Sequence, residues 1–274
     1  DDARFSLVVV PKMPPHTKPK ALNFALPLAR GRYVTVFDAE DVPERSQLRE
    51  AASLFAERPD IACLQAHLLI TNAKRNWITR LFAAEYAGLF GVLLPGISRL
   101  GLPVPLGGTS NHFRIGTLRK AGGWDAFNVT EDADLGVRYA RLGHTIASFA
   151  SYTSEESTVT VRAWLRQRER WMKGWMQTLI VHSAYPGRLL GDLGWGRLLG
   201  FQVMVAGMVL SISVHGLLLL STLGQAIIET IRFGGPGGMV QASLAVLAIG
   251  YAGSMAIAVI GLARVGRRDL WGWQ

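Results

Sequence analysis

The chain has 274 residues, of which 49% are hydrophobic, and a formal net charge of +9. This length is enough for one mid-sized domain with a buried core plus a membrane segment. Its single cysteine, Cys63, excludes an internal disulfide and agrees with a reducing compartment. The positive charge fits anionic phosphates or lipid headgroups, and no nucleic-acid-binding motif accompanies it, so we expect no nucleic acid partner.

The first part of the chain alternates strand and helix patterns. Apolar runs at 5–10, 33–37 and 61–66 predict strands, and helical patterns cover 21–29 and 43–57. Because strands that alternate with helices form parallel sheets, we expect an α/β domain with a mostly parallel sheet over residues 1–158. The first strand has no preceding unit, so we also expect the chain to be a fragment that lacks the start of this domain.

The predicted strand at 33–37 leads into Asp38, Glu40 and Asp41. Open α/β sheets bind ligands at the carboxyl edge of their strands, and carboxylates there suit Mg²⁺ or Mn²⁺ held mainly by phosphate oxygens. The alternative is a solvated acidic turn that favours the N-terminus of the following helix. Taken alone, the cluster favours this alternative.

Two further segments have helical patterns. Residues 77–94 carry an apolar stripe that fits either a core-facing helix or a helix at a membrane interface. Thr130, Glu131 and Asp132 precede an apparent helix over 133–141. A carboxylate at a helix start can project into a cleft, but Thr130 can also act as a plain N-cap, and by itself the sequence favours capping.

Residues 164–179 form a second amphipathic pattern that contains the run Gln167-Arg168-Glu169-Arg170-Trp171. Trp164, Trp171 and Trp175 share one face, and basic residues occupy the other. Tryptophans and basic residues shortly before an apolar span favour an interfacial helix, within a segment of residues 159–196. Gln167 and Arg170 are three residues apart and therefore neighbours on the helix surface.

Residues 198–228 and 233–263 contain no Asp, Glu, Lys or Arg. Since about 20 helical residues cross a hydrocarbon core of about 30 Å, we expect two transmembrane helices near 198–222 and 239–263, in a segment of residues 197–274. Buried helices of a large soluble core are the alternative. Cations flank both spans while the connecting loop is nearly neutral, which predicts that residues 1–197 and the C-terminus are cytoplasmic; these cations are Arg188, Arg197, Arg264, Arg267 and Arg268.

The three polar clusters, in their order, resemble the motifs of the membrane-embedded family 2 glycosyltransferases, the cellulose-synthase-like enzymes. The resemblance covers about residues 5–182 and implies a GT-A-like nucleotide-sugar-binding domain, a Mg²⁺ or Mn²⁺ cofactor and a UDP- or GDP-sugar donor. It also implies a glycan or lipid acceptor and contact with membrane lipids in a bacterial-type inner membrane. The family's Asp-x-Asp element is Asp-x-Glu here, and the earlier strand whose aspartate holds the nucleotide base is missing.

The resemblance also implies roles for individual residues. Asp132 corresponds to the base that deprotonates the acceptor hydroxyl, and Asp38 and Glu40 correspond to the metal ligands. The residues implied to bind the donor are Lys18 (with Lys20 as a second candidate), Gln167 and Arg170. Those implied to bind the acceptor are Ser110, in a loop that resembles the lining of the sugar site, Glu131 and Trp171.

Together these features predict an inverting, metal-dependent transfer of a sugar to a growing β-linked polysaccharide at the cytoplasmic membrane face. A glycolipid-forming transferase is one alternative. A non-enzymatic membrane transport or scaffold protein, whose acidic clusters are surface features, is the alternative from another class. The latter predicts no nucleotide binding, and two spans with almost no ionisable residues make a stand-alone transporter a poor fit.

Overall fold

The computed structural model describes residues 4–271, so positions 1–3 and 272–274 of the predicted first and last segments lie outside the described residues. The strands are β1 (Tyr33–Val36), β2 (Val42–Pro43), β3 (Ile61–Ile70), β4 (Asn111–Arg114) and β5 (Thr145–Glu155). The helices of the α/β part are α1 (Lys18–Ala25), α2 (Gln47–Glu57), α3 (Trp77–Gly88), α4 (Leu94–Arg99), α5 (Ile115–Lys120) and α6 (Glu131–Arg141). They are followed by α7 (Val161–Ser183), α8 (Pro186–Phe201), α9 (Gly207–Phe233) and α10 (Gly238–Arg264).

The five strands form one mixed sheet in the order β1-β4-β3-β5-β2. Only the β3–β5 pair is parallel among the described strand pairs; β1–β4, β3–β4 and β2–β5 are antiparallel. The α/β class is therefore confirmed, but the mostly parallel sheet was wrong. The helix-linked strands β1, β3 and β5 do run in one direction; the error arose because β4 inserts between β1 and β3 in the opposite sense.

The predicted strand at 5–10 was also wrong. These residues join no strand of the sheet within the described chain, and the side chains of Phe5, Leu7 and Val9 are 81%, 91% and 78% exposed. An apolar run of this kind becomes a strand only where another strand pairs with its backbone groups. In this sheet β1 lies at the edge, and residues 5–10 do not extend it.

Local signals explain several element boundaries. Asn76 begins α3 with a capping box, since its Oδ1 accepts from the Thr79 amide at 3.0 Å and its own amide donates to Thr79 Oγ1 at 3.1 Å. Gly234 ends α9 with a φ of 79°, a left-handed conformation that glycine adopts readily. The main core lies between the sheet and the helices and contains Leu68, Phe113 and Tyr139.

Within residues 4–271, three helical stretches are long and apolar enough to span a membrane: Trp77–Arg99, Pro186–Phe233 and Gly238–Arg264. The two predicted spans fall within the second and third. The stretch Trp77–Arg99 is a third candidate that the sequence left as a core or interfacial helix, and it includes a π-turn at Leu89–Leu93. Helix α8 has a kink at Gly194, where φ is 70° and ψ is 169°, and it then continues through a π-turn at Gln202–Ala206 into α9.

Helices α3 and α10 pack with their backbones in close contact. A Cβ on Gly261 of α10 would collide with the carbonyl of Ala87 on α3, and one on Gly88 would lie 3.1 Å from Ile257 Cγ2. The Arg264 guanidinium donates to the carbonyl of Gly91 at 3.0 Å, inside the π-turn, and the Arg267 guanidinium donates to the carbonyl of Ile70 at 3.1 Å. The end of α10 is therefore attached to the α/β part.

Candidate active site

The acidic loop after β1 is shaped by Asp41. Its Oδ2 accepts from the backbone amide of Asp38 at 2.7 Å and from the hydroxyl of Thr109. Because these bonds occupy the carboxylate of Asp41, this residue holds the loop in place. The carboxylates of half-buried Asp38 and exposed Glu40 remain the two that can reach a ligand.

Lys18 brings three parts of the chain together. Its Nζ donates to Asp38 Oδ1 at 2.5 Å and to the carbonyl of Gly108 at 2.7 Å, so the first turn of α1, the acidic loop and a glycine-rich loop meet at one point. Lys20, the second candidate from the sequence, instead donates to the carbonyls of Pro11 and Met13. Lys18 is thus the lysine that lies at the acidic cluster.

The glycine-rich loop at 107–110 is held in place by the side chain of Gln65. Gln65 Oε1 accepts from the Gly107 amide at 2.8 Å, and its Nε2 donates to the carbonyl of Thr109 at 3.0 Å. Ser110 has a left-handed φ of 59°, and its amide donates to the carbonyl of Val36 at 2.8 Å. Its side chain is fully buried and therefore has no surface that an acceptor could contact, contrary to the prediction. Ser110 instead stabilises the loop through its backbone.

Asp132, like Lys18, lies next to Gly108. A Cβ on Gly108 would be 3.3 Å from Asp132 Oδ2, so the missing side chain gives this carboxylate its space. Burial, and then the neighbouring charge of Glu131, raise the pKa of Asp132 to about 7. Burial also raises the pKa of Glu131, while the charges of Lys18 and Arg170 oppose that shift. A carboxylate that is half-protonated near neutral pH can accept a proton from a substrate.

Thr130 does not act as the plain N-cap that the sequence alone favoured, since its side chain makes no capping bond to α6. Its amide and its hydroxyl both donate to Asn128 Oδ1, at 3.0 and 3.3 Å. Asn128 in turn donates to Thr178 Oγ1 of α7 at 3.0 Å. The start of α6 is therefore fixed by α7 rather than by its own cap.

Gly174 allows α7 to approach the start of α6 closely. A Cβ there would collide with the side chain of Thr130, with Cγ2 only 2.6 Å away. This contact places α7 beside the acidic residues at the start of α6. Arg170, one turn earlier on α7, is exposed and close enough to Glu131 to influence its pKa. Gln167 is half-buried, and its Oε1 has no hydrogen-bond partner among residues 4–271.

The tryptophans of α7 contact protein. Trp164 and Trp171 pack against a cluster that includes Phe82 of α3, and Trp175 packs against the cluster around Leu189 and Phe201. The predicted separation of faces is present, but the tryptophan face of this predicted interfacial helix packs against protein. The reason is that α3, α6 and α8 cover it. Basic residues Arg162, Arg166 and Lys173 lie on the exposed face.

Beneath the site, a buried ion-pair network joins α6 to α7. The Oδ1 of Asp134 lies 2.9 Å from His182 Nε2, and its Oδ2 accepts from Arg138 Nε at 2.7 Å. Burial raises the pKa of Asp134, but the bond from His182 and the charge of Arg138 outweigh this and hold it below its usual value. Arg141 donates to His182 Nδ1 at 3.0 Å, which leaves the Nε2 proton for Asp134. The network fixes the helix that carries Asp132.

Sequence reasoning missed Glu155, the last residue of β5. Burial, followed by the charges of Asp41, Asp38 and Glu40, raises the pKa of Glu155 to about 8. Strand β5 runs parallel to β3, and Glu155 pairs with Ile70, the last residue of β3. Glu155 therefore lies at the carboxyl edge of both strands. A strand prediction at 145–155 would have placed it there.

The residues at this edge fit a divalent cation that is also bound by a diphosphate. Asp38 and Glu40 offer oxygen ligands, and the Lys18 ammonium already places a positive charge against Asp38. Within the described residues, no three His, Cys, Asp or Glu side chains are grouped closely enough to hold a metal ion by themselves. Mg²⁺ commonly takes one or two carboxylates and obtains its other ligands from phosphate and water, so this donor set fits the ion when phosphate oxygens and water complete its coordination.

The chain was compared with known proteins. The family model for glycosyl transferase family group 2 matches residues 33–257. A cellulose synthase catalytic subunit from Pseudomonas fluorescens is 29% identical over 66% of this chain and 25% of its own length. A beta-monoglucosyldiacylglycerol synthase from Trichormus variabilis is 32% identical over 58% of this chain and 34% of its own.

A probable glycosyltransferase from Bacillus subtilis is 28% identical over 62% of this chain and 41% of its own length, so the chain spans less than half the length of these three relatives. Among solved structures, a mannosyltransferase from Pyrobaculum calidifontis in complex with GDP-Man and Mn²⁺ covers 93% of this chain and 67% of its own. Its sequence identity is 15% and the TM-score is 0.43. Because the family model extends over most of the sequence, this chain belongs to glycosyltransferase family group 2.

Proposed function

We propose that the protein transfers a sugar from a nucleotide-sugar donor to a growing β-linked polysaccharide, with inversion at the anomeric carbon and with Mg²⁺ or Mn²⁺. The observation that carries this proposal is the position of Asp132, whose pKa is raised to about 7. Both Asp132 and the Lys18–Asp38 pair lie next to Gly108. A proton acceptor and a charged anchor for a diphosphate thus lie beside the same glycine.

In the proposed reaction, Asp132 accepts the proton of an acceptor hydroxyl as its oxygen attacks the anomeric carbon. The bond from that carbon to the diphosphate oxygen breaks, and the nucleoside diphosphate leaves. One displacement inverts the anomeric configuration, so a single base is enough. Lys18 and Arg170 supply positive charge for the diphosphate, and the unpaired amide oxygen of Gln167, which is an acceptor, is available to a hydroxyl of the donor. A divalent cation at Asp38 and Glu40 supplies further stabilisation of the leaving group when bound.

The acceptor is proposed to be a polysaccharide, with a glycolipid product as the second candidate. Cellulose synthase and a probable glucomannan 4-beta-mannosyltransferase from Arabidopsis thaliana, 30% identical over 52% of this chain, support the first. Beta-monoglucosyldiacylglycerol synthase supports the second. Trp171 and Glu131 are proposed to contact the acceptor, because Glu131 directly precedes the proposed base and Trp171 follows Arg170, whose charge influences Glu131. Membership of the family removes the basis for a non-enzymatic transport or scaffold protein.

The catalytic residues are proposed to face the cytoplasm of a bacterial-type inner membrane in a multi-pass protein. The bonds from Arg264 to Gly91 and from Arg267 to Ile70 attach the end of α10 to the α/β part. The α9–α10 hairpin then starts and ends on one side of the bilayer, and the flanking arginines favour the cytoplasmic side. We keep 1–158, 159–196 and 197–274 as the proposed catalytic, interfacial and membrane segments.

The test is incorporation of radiolabelled sugar from a panel of UDP- and GDP-sugars by the full-length protein in membranes. Label in an insoluble product that β-glycanases release supports a polysaccharide, whereas label that organic solvent extracts supports a glycolipid. Asp132→Asn is the matched control and is expected to lose transfer while it still binds the donor. Full activity in excess chelator would contradict the metal requirement, and activity of Asp132→Asn equal to the wild type would contradict the proposed base.

A further inference from the structure

The run Gln167-Arg168-Glu169-Arg170-Trp171 contains two arginines. The contacts of Arg168 differ from those of Arg170. The two terminal nitrogens of Arg168 donate to the two carboxylate oxygens of Glu85 on α3, at 2.6 and 2.5 Å. The guanidinium carbon lies 4.6 Å from the centroid of the Trp171 ring. The guanidinium of Arg168 is therefore bound to α3 through Glu85 and lies against the indole of Trp171.

The surroundings of this pair make its geometry specific. The same guanidinium lies 5.3 Å from the Phe82 ring and 5.4 Å from the Trp164 ring. The rings of Phe82 and Trp171 are 6.2 Å apart, so the guanidinium contacts both rings at once and the three groups form one cluster. A bidentate bond to a carboxylate aligns a planar guanidinium, and a stacked cation prefers the face of an indole. Both effects depend on direction.

The pair contributes to orientation more than to stability. The side chain of Glu85 is 43% exposed and that of Arg168 25%, and solvent screens an ion pair at such a position. Arg170 has the opposite character: it is exposed on α7 and influences Glu131. The two arginines of the run thus differ in their contacts, since Arg170 is exposed near Glu131 and Arg168 binds Glu85 of α3.

We propose that Arg168 and Glu85 form a positioning pair that sets the orientation of the Trp171 indole toward the acceptor, a role that rests on the proposed transfer function. Neither residue touches the reacting atoms in this assignment. The two hydrogen bonds to Glu85 fix the orientation of the guanidinium plane, and contact with that plane fixes the orientation of the indole. Because α3 carries Glu85, the orientation of Trp171 also depends on how α3 is seated against α7.

The orientation of the indole can be measured without any activity. Full-length protein labelled with 5-fluorotryptophan gives a ¹⁹F resonance for Trp171, which is assigned by its disappearance in Trp171→Phe. Arg168→Gln and Glu85→Gln are both expected to shift or broaden this resonance. Arg166→Gln, which removes an exposed arginine from the other face of α7, is expected to leave it unchanged. An unchanged Trp171 resonance in Arg168→Gln would overturn the proposal.

Kinetics separate positioning from a general structural role. In Arg168→Gln the KM for the acceptor is expected to rise about tenfold, equivalent to about 1.4 kcal/mol, with donor affinity and thermal unfolding midpoint close to wild type. The double variant with Glu85→Gln is expected to be no worse than either single variant, since both remove one interaction. Parallel losses of donor affinity, acceptor use and thermal stability would overturn the proposal. The ¹⁹F result does not depend on transfer, so a failure of the proposed function remains distinguishable.

Discussion

The rate of sugar transfer is expected to depend on pH with an apparent pKa near 7. A base must be deprotonated to accept a proton, and the pKa of Asp132 is raised from 3.8 to about 7, mainly by burial and then by the charge of Glu131. The ionised fraction is then about one half at pH 7, one tenth at pH 6 and one hundredth at pH 5. The rate should follow these fractions, whereas an aspartate with an ordinary pKa would give a flat profile over this range.

Glu131→Gln tests the electrostatic part of this reasoning. It removes the negative charge beside Asp132, so the pKa of Asp132 falls and the acid limb of the profile moves to lower pH. The limb is expected to persist, because burial is the larger cause of the shift. Initial rates are measured between about pH 5 and 8 at saturating donor and metal, so that the profile reports the bound complex. The two carboxylates interact, and the apparent value therefore belongs to the pair.

Glu155 provides the control, because its pKa is also raised, to about 8. Glu155→Gln is expected to keep the acid limb, since the base is still present. A wild-type rate that stays flat between pH 5 and 8 would refute the assignment of Asp132 as a base with a raised pKa. Loss of the limb in Glu155→Gln, with its retention in Asp132→Asn, would transfer the role to Glu155.

Three further outcomes are expected. Asp38→Asn removes an oxygen ligand and should abolish transfer supported by Mg²⁺ or Mn²⁺ with little change in the unfolding midpoint. Gly174→Ala places a Cβ against Thr130 and should lower transfer roughly tenfold or more, whereas Gly191→Ala, where a Cβ meets open space, should not. A carboxyl whose pKa is raised in the folded state destabilises the protein increasingly as the pH rises toward that pKa. The unfolding midpoint of Asp132→Asn should therefore exceed that of the wild type, by a margin that grows as the pH is raised from 5 toward 8.

The acidic edge could be predicted because its signal is local. A short β-prone run that ends in acidic residues predicts a strand with carboxylates after it, and Tyr33–Val36 is followed by Asp38 as expected; the strand lies at the sheet edge and only Val36 is buried. Helix periodicity likewise located α6 and α7, including the common face of Trp164, Trp171 and Trp175. In these cases the residue pattern within one element determined the outcome.

The rest depends on contacts between elements distant in sequence. Strand β4 has only four residues, Asn111–Arg114, and its antiparallel place between β1 and β3 comes from pairing that no local pattern specifies. The tryptophan face of α7 has the composition of a lipid-facing surface, and only the packing of α3, α6 and α8 shows otherwise. Glu155 was missed because its raised pKa depends partly on the charges of carboxylates more than a hundred residues earlier in the chain.

Helix α3 connects the candidate site to the membrane hairpin. Its Glu85 holds Arg168 of α7, and one turn later Gly88 lies against α10. The close approach at Gly261 depends on the absence of a side chain, because a Cβ there would collide with the Ala87 carbonyl. Helix α3 thus contacts both α10 and the arginine that lies against the Trp171 indole. The apolar stretch Trp77–Arg99 therefore belongs to both the catalytic and the membrane architecture.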